Sequence, residues 1–237
     1  MFEVRNIEFS YSGQKVLRDV SFVVSPGEVV SVVGDNGAGK TTLLKVLSTL
    51  AIPSAGHIQL DGHDAYSNPM KYRRLLGYMP EEPELYPDMK VKAYLEYRAR
   101  LKGEPDKRIR RRVAEAAEMC ALTSFMKKPI RSLSTGLKKR VALADAILLR
   151  PRVLLLDDFL AGLDRNMRDA AGSLVSQVAA FSSVIVTGHE IDDFAKWTTR
   201  FLVLKDGIIA ATVAAAGVAP GELVSRVDAA IKGGVTK

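Results

Sequence analysis

Apolar and polar positions alternate over the first 33 residues, interrupted by short turns. FEVRNIEFSY, VLRDVSFVV and GEVVSVVG read as three strands, separated by Ser-Gly and Ser-Pro-Gly turns. TTLLKVLSTL then carries its leucines at helical spacing and predicts a helix stopped by Pro53. HIQLDG and LLGYMP read as two further strands, the first ending in an Asp-Gly turn. From Pro87 to Leu149 the period becomes almost wholly helical, through KVKAYLEYRARL, IRRRVAEAAEMCAL and KKRVALADAILL. RVLLLDD, SSVIVTGH and RFLVLKDG follow. The first two are unbroken apolar runs that lead into helices, as parallel strands covered on both faces do. The residues from Ala211 on are small and weakly amphipathic, with one helix predicted over ELVSRVDAAI. The pattern is that of an α/β chain in which a helical segment is inserted into a strand–helix scaffold.

Composition narrows the function classes only a little. The chain has 237 residues, 47% hydrophobic and 26% charged, enough for one sizeable core with an inserted subdomain. A net charge of +7 suits nucleic acid, an anionic membrane surface or a phosphate ligand, and selects none of them. The single cysteine, Cys120, excludes an internal disulfide, and its helical apolar setting predicts a buried thiol. MFEVRNIEF lacks the basic start and apolar core of a signal peptide. The longest weakly polar run, Gly207 to Pro220, is too short to cross a bilayer. These features lead us to expect a soluble, cytoplasmic chain whose membrane role, if any, comes through a partner.

The chemistry begins at Gly34-Asp35-Asn36-Gly37-Ala38-Gly39-Lys40-Thr41, which satisfies G-x-x-x-x-G-K-[ST] in full. The loop follows an apolar run and opens a helix, which is the context that gives the motif its meaning. Backbone N–H groups of such a loop converge on phosphate oxygens, and the helix N-terminus adds positive potential. Lys40 is then placed to neutralise the outer phosphates, and Thr41 to ligate Mg²⁺. A dinucleotide fold is the weaker rival, because the helix opens with Lys-Thr-Thr and not with a third glycine. Downstream, RVLLLDD ends an apolar strand in carboxylates, as a Mg²⁺-orienting aspartate requires. Just before it, Ser134, Thr135 and Gly136 form a small polar entry to a helix, a second candidate anion site that taken alone reads first as a capped helix.

Taken together and in order, these pieces resemble the nucleotide-binding subunit of an ATP-binding-cassette (ABC) transporter. GDNGAGKTT is similar to the Walker A loop, LSTGLKKR to the family signature, LLLDD to Walker B, AGLD to the D-loop and VTGHE to the switch histidine segment. The resemblance covers about residues 1–210. It implies a P-loop NTPase (RecA-like) core with an N-terminal antiparallel β subdomain and an inserted α-helical subdomain at about 84–149, leaving 211–237 as a tail. It also implies ATP and Mg²⁺ as ligands. By that resemblance Tyr11 stacks on the adenine, and Asn36, Gly37, Ala38, Gly39, Lys40, Thr41 and Thr42 serve phosphates and metal. Asp157 orients Mg²⁺, Asp164 communicates across a dimer and His189 contacts the γ-phosphate. Ser134 and Gly136 close over the nucleotide of a second ATP-binding subunit, and an integral membrane permease subunit is the other partner. His57 and His63 match no motif and are expected in exposed loops.

Three segments depart from the commonest family pattern. Asp158 stands where a water-positioning glutamate is usual, followed by Phe159 in place of proline. A displacement of about 1 Å costs on the order of a hundredfold in rate, so slow hydrolysis is expected. Glu81, in GYMPEEPELYPDM, stands where glutamine is usual; its oxygen can still ligate Mg²⁺ or orient water, but it brings a negative charge close to the phosphates, and Thr135 and Leu137 depart within the signature. LSTG and PELYPDM look like the exporter-type subfamily. The insertion also concentrates Arg98, Arg100, Lys102, Lys107, Arg108, Arg110, Arg111 and Arg112, either a solvated face or one set near anionic headgroups. The leading reading is a peripheral ATPase subunit on the inner face of the cell membrane that drives export. The alternatives are a nucleotide-dependent regulatory module with impaired hydrolysis and a soluble ABC protein acting on nucleic acid. No direct nucleic-acid contact is expected in the first case.

Overall fold

The computed structural model describes residues 1–233, the side chain of residue 166 excepted. Two sheets carry the chain. β1 (Phe2–Tyr11), β2 (Gln14–Val24), β4 (Ala55–Leu60) and β5 (His63–Asp64) form an antiparallel sheet in the order β2-β1-β4-β5. The second sheet runs β10-β9-β3-β8-β7-β6. Within it β3 (Val29–Val33), β6 (Leu76–Met79), β7 (Val153–Leu156), β8 (Ser183–Thr187) and β9 (Arg200–Lys205) are parallel. β10 (Ile208–Ala214) closes the edge antiparallel to β9.

Burial explains the two strand types. Every residue of β3, β7 and β8 is buried, which is why they read as unbroken apolar runs. Their side chains alternate between two cores. Val30, Val32, Val153, Leu155 and Ile185 face the antiparallel sheet and α1 (Lys40–Leu47). Val29, Val33, Leu154, Leu156, Val184 and Val186 face the opposite core, shared with the helical insertion. That insertion comprises α3 (Val91–Leu101), α4 (Asp106–Met119) and α5 (Thr135–Ile147). α6 (Arg165–Ala179), α7 (Ile191–Phe194) and α8 (Pro220–Lys232) complete the fold, and Cys120 is buried as expected.

Several boundaries differ from the sequence expectation. The helix after the glycine-rich loop ends at Leu47, well before Pro53. Thr49 turns left-handed at φ +63°, and the Leu50 and Ala51 amides both bond back to the Lys45 carbonyl at 2.9 and 3.1 Å. α2 (Pro69–Leu75) has no apolar period to announce it. Tyr72 is its one buried residue, held by a 2.6 Å bond from its hydroxyl to the Leu47 carbonyl. The expected core–tail division at 210/211 falls inside β10. α8 includes the predicted ELVSRVDAAI helix and buries Leu223 and Val227, while residues 234–237 lie outside the described residues. His57 and His63 sit on β4 and β5, not in loops.

The basic insertion also resolves differently. Arg98 and Lys102 bind Asp145 at 2.9 and 2.7 Å, fastening α3 to α5. Arg112 pairs with Glu104 and Glu115 at 3.5 Å, Arg111 with Glu115 at 3.7 Å, and Arg100 with Asp106 at 3.2 Å. Among the described residues, Lys107, Arg108 and Arg110 of α4 are the members of the set that are exposed and outside any ion pair.

Candidate functional site

β3 delivers the chain to the glycine-rich loop, and α1 leaves it. Two glycines are sterically required. A Cβ on Gly34 would stand 2.0 Å from the Leu204 carbonyl oxygen of the neighbouring strand β9. Gly39, at φ +106°, would push one to 3.1 Å from Leu17 Cδ2 and 3.3 Å from the Val16 oxygen. The loop therefore lies against β2 and β9, with its amides gathered at the N-terminus of α1. Lys40 folds over it, donating to the carbonyls of Gly34 at 2.6 Å and Asp35 at 3.0 Å. Burial draws the Lys40 ammonium below its ordinary pKa, opposed by the negative charges of Asp158, Asp35 and Asp157.

The carboxylate wall comes from the end of β7. The Asp157 amide donates to the Met79 carbonyl at 2.9 Å, prolonging the β6–β7 pairing by one residue. Asp157 is 1% exposed. Its Oδ1 accepts from Thr41 Oγ1 at 3.1 Å and from Thr187 Oγ1 at 2.7 Å, while the buried Oδ2 has no hydrogen-bond partner. Burial pushes this carboxyl above the usual aspartate range. Asp158 takes a left-handed backbone at φ +42°, its amide bonded to Thr187 Oγ1 at 2.9 Å. Its Oδ1 lies 3.9 Å from His189 Nε2. Thr187 thus braces both aspartates, and the sequence reading passed over it. Its one signal was its place at the end of an apolar run, two residues before the histidine.

Asn36, Gly37, Gly39, Lys40, Thr41 and Thr42 line a cavity of about 260 Å³ together with Glu81, Asp157, Asp158 and His189. The remaining candidates lie elsewhere. Ala38 packs beneath the loop, 7% exposed. Tyr11 ends β1 with 48% exposure, its ring edge-on to Phe9 at 4.7 Å. Ser134 caps α5, accepting from the Leu137 amide at 3.4 Å. Gly136 faces a second cavity, where a Cβ would meet Met167 Sδ at 3.0 Å. Asp164 caps α6, accepting from the Met167 amide at 2.9 Å.

This donor set fits Mg²⁺. An unpartnered buried carboxylate oxygen, a threonine hydroxyl beside it and the nearby Glu81 are hard oxygen ligands, and phosphates held by the loop supply the rest. Lys40, Thr41, Glu81, Asp157 and Asp158 thus line one cavity that could take a polyphosphate with its cation.

A sequence model described as "ABC transporter" matches residues 17–161. An ABC transporter ATP-binding protein of Streptococcus mutans is 34% identical over 215 residues, 89% of this chain and 38% of its own length. The spermidine/putrescine import ATP-binding protein PotA of Legionella pneumophila is 32% identical over 88% of this chain and 58% of its own length. The chain thus spans well under two thirds of the length of these two relatives. The structure of cbiO1 from Clostridium perfringens, described as part of the ABC transporter complex cbiONQ, superposes with a TM-score of 0.84. It is 28% identical, over 96% of this chain and 94% of that one.

Proposed function

Because the chain belongs to the ABC transporter family, we propose that it is the ATP-binding subunit of a transporter, hydrolysing ATP between two such subunits to drive a separate membrane permease. The observation that carries this reading is the division of the candidate residues. The phosphate loop, Asp157, Asp158 and His189 share one cavity, whereas Ser134 and Gly136 of the signature stand outside it. Each copy then holds half of a site, and a second copy supplies the signature that closes it. In this reading the amides of residues 36–39, Lys40 and Thr42 hold the phosphates, and Tyr11 stacks on the base. Thr41, Asp157 and Glu81 hold Mg²⁺, which when bound neutralises charge on the outer phosphate oxygens. Asp158 orients the attacking water, His189 contacts the γ-phosphate and Asp164 lies between the two copies. The contacts from Ser134 and Gly136 exist only in the closed pair and are lost on hydrolysis, so nucleotide turnover does mechanical work.

Among the described residues, no helix is long and apolar enough to cross a membrane. Location on the inner membrane face then depends on the permease. Export as the direction rests on the LSTG and PELYPDM segments. PotA of Legionella pneumophila is an import protein, so flux through the reconstituted complex in vesicles is the measurement that decides direction.

The reading as a whole is tested by cysteine crosslinking of the full chain across the expected interface. Mg·ATP should trap a pair of cassettes, and Lys40→Ala, which removes the phosphate-side ammonium, should abolish both nucleotide binding and trapping. Retention of nucleotide affinity by Lys40→Ala, or absence of any trapped pair with the wild-type chain, would overturn it.

A further inference from the structure

The cleft between the end of α4, α5 and α6 is incompletely filled. A cavity of about 130 Å³ separates Leu143 on α5 from Met167 and Leu174 on α6. Among the described residues, the hydrogen bonds that cross from α5 to segment 158–164 come from one side chain, Lys139. Its Nζ donates to the Ala161 carbonyl and reaches that of Phe159 at 3.5 Å. Both carbonyls belong to the turn that leaves Asp158. The Ala161 amide bonds to the Asp158 carbonyl and the Leu163 amide to that of Leu160, each at 3.1 Å.

Asp158 needs such support. Its Oδ1 is buried without a hydrogen bond, and its backbone is left-handed at φ +42°. The aim of the carboxylate is therefore set by the backbone on either side of it. Thr187 Oγ1 holds the amide side at 2.9 Å, and Lys139 holds the turn beyond. Lys139 also lies within the field of Asp158, Glu81 and Glu190, whose negative charges oppose the pKa depression caused by its burial. On α5 it stands three residues beyond Gly136 and five beyond the cap Ser134. An α-helix moves as a rigid rod over so short a stretch, about 1.5 Å of rise per residue. A displacement of its N-terminus is thus passed to Lys139 and from there to the turn.

We propose that Lys139 is a positioning residue, tying the helix whose N-terminus closes on the partner copy's nucleotide to the turn that aims this chain's own Asp158. Closure over one nucleotide then sets the water-orienting carboxylate at the other. The link between sites rests on the two-cassette reading above, whereas the clamp on Asp158 is a property of one chain.

The test uses the full chain with Lys139→Met, which keeps the stem and removes the donor, and Lys139→Arg, which keeps donors. Four quantities are read: single-turnover phosphate release with limiting ATP, equilibrium affinity for a fluorescent ATP analogue, Mg·ATP crosslinking yield and thermal melting. Lys139→Met should slow single-turnover release about tenfold or more, with nucleotide affinity within about twofold and pair yield unchanged. Lys139→Arg should restore most of the rate. An unchanged rate in Lys139→Met overturns the proposal. So does a loss that arginine fails to restore, or one matched by equal losses of affinity and melting temperature, which marks a folding role. If the wild-type chain itself never pairs with Mg·ATP, the two-cassette reading and the link between sites fall, and the single-turnover rates still decide the clamp.

Discussion

Asp158 concentrates the chemical question at the level of a single residue. Its stem is one methylene shorter than a glutamate's, and its φ of +42° is a conformation that aspartate tolerates better than longer side chains do. Reach and backbone preference therefore oppose each other at this position. Asp158→Glu is expected to raise single-turnover hydrolysis, by about tenfold to a hundredfold if reach governs the rate. It should also lower stability slightly, by roughly 0.5–1 kcal/mol, because glutamate lacks the short local hydrogen bonds that favour the left-handed region. Rapid-quench kinetics with thermal melting checks both. An unchanged or lower rate in Asp158→Glu would overturn the expectation that the short stem slows hydrolysis. Cys120 shows the opposite kind of residue, a thiol pushed up to about 12 by burial and serving the α4–α5 core.

Helices α3 and α5 are joined by a charged clasp, with Asp145 of α5 between Arg98 and Lys102 of α3. The Asp145 side chain is 10% exposed, and its cationic partners are 33% and 27% exposed. Asp145→Ala leaves two cations facing each other over a partly desolvated gap. The expected loss is about 2–3 kcal/mol, below the value for a fully buried pair because solvent screens part of it. Burial lowers the Lys102 pKa, so in the variant the folded state favours the neutral amine more than the unfolded chain does. The deficit is full below that lowered folded pKa. It shrinks as pH rises from the lowered folded pKa towards the unfolded value of about 10.4. Urea titrations of both proteins at pH 7 and pH 10 measure this, and an equal deficit at both values contradicts the assignment. The same clasp holds α5 in place, and α5 carries Ser134, Gly136 and Lys139.

For the molecule as a whole, pairing patterns decide which of its basic residues are available to a partner. The net charge of +7 is spread widely, and three of the arginines and lysines of the insertion, Arg98, Lys102 and Arg112, are bound to carboxylates inside the fold. Lys107, Arg108 and Arg110 on α4 remain exposed. Neutralising these three should weaken co-sedimentation with phosphatidylserine vesicles at low salt, by about 1 kcal/mol per charge, and much less at high salt. Vesicle binding that is equal to wild type at low salt would show that this face has no part in meeting anionic headgroups. Neutralising Arg98 and Lys102 instead should show as loss of stability.

Local pattern alone carried most of the long strands and helices, the phosphate loop and the two carboxylates, because each is written in contiguous residues, whereas β5, β10 and α2 were not anticipated. Unbroken apolar runs mark strands covered on both faces, and Gly34 and Gly39 occupy positions where a Cβ collides with Leu204 or crowds Val16 and Leu17. Features that depend on distant partners were not legible. Short α2 is held by a hydroxyl bond to Leu47, and α1 ends through a left-handed Thr49 rather than at Pro53. Thr187 became part of the site because β8 lies beside β7, and Lys139 because α5 crosses the turn after Asp158. Sequence periodicity records which face of an element is buried, whereas the partner each polar group finds there is set by how the elements are stacked. That is why the glycine-rich loop was readable from its letters, and why the bracing of Asp157 and Asp158 emerged only from the folded chain.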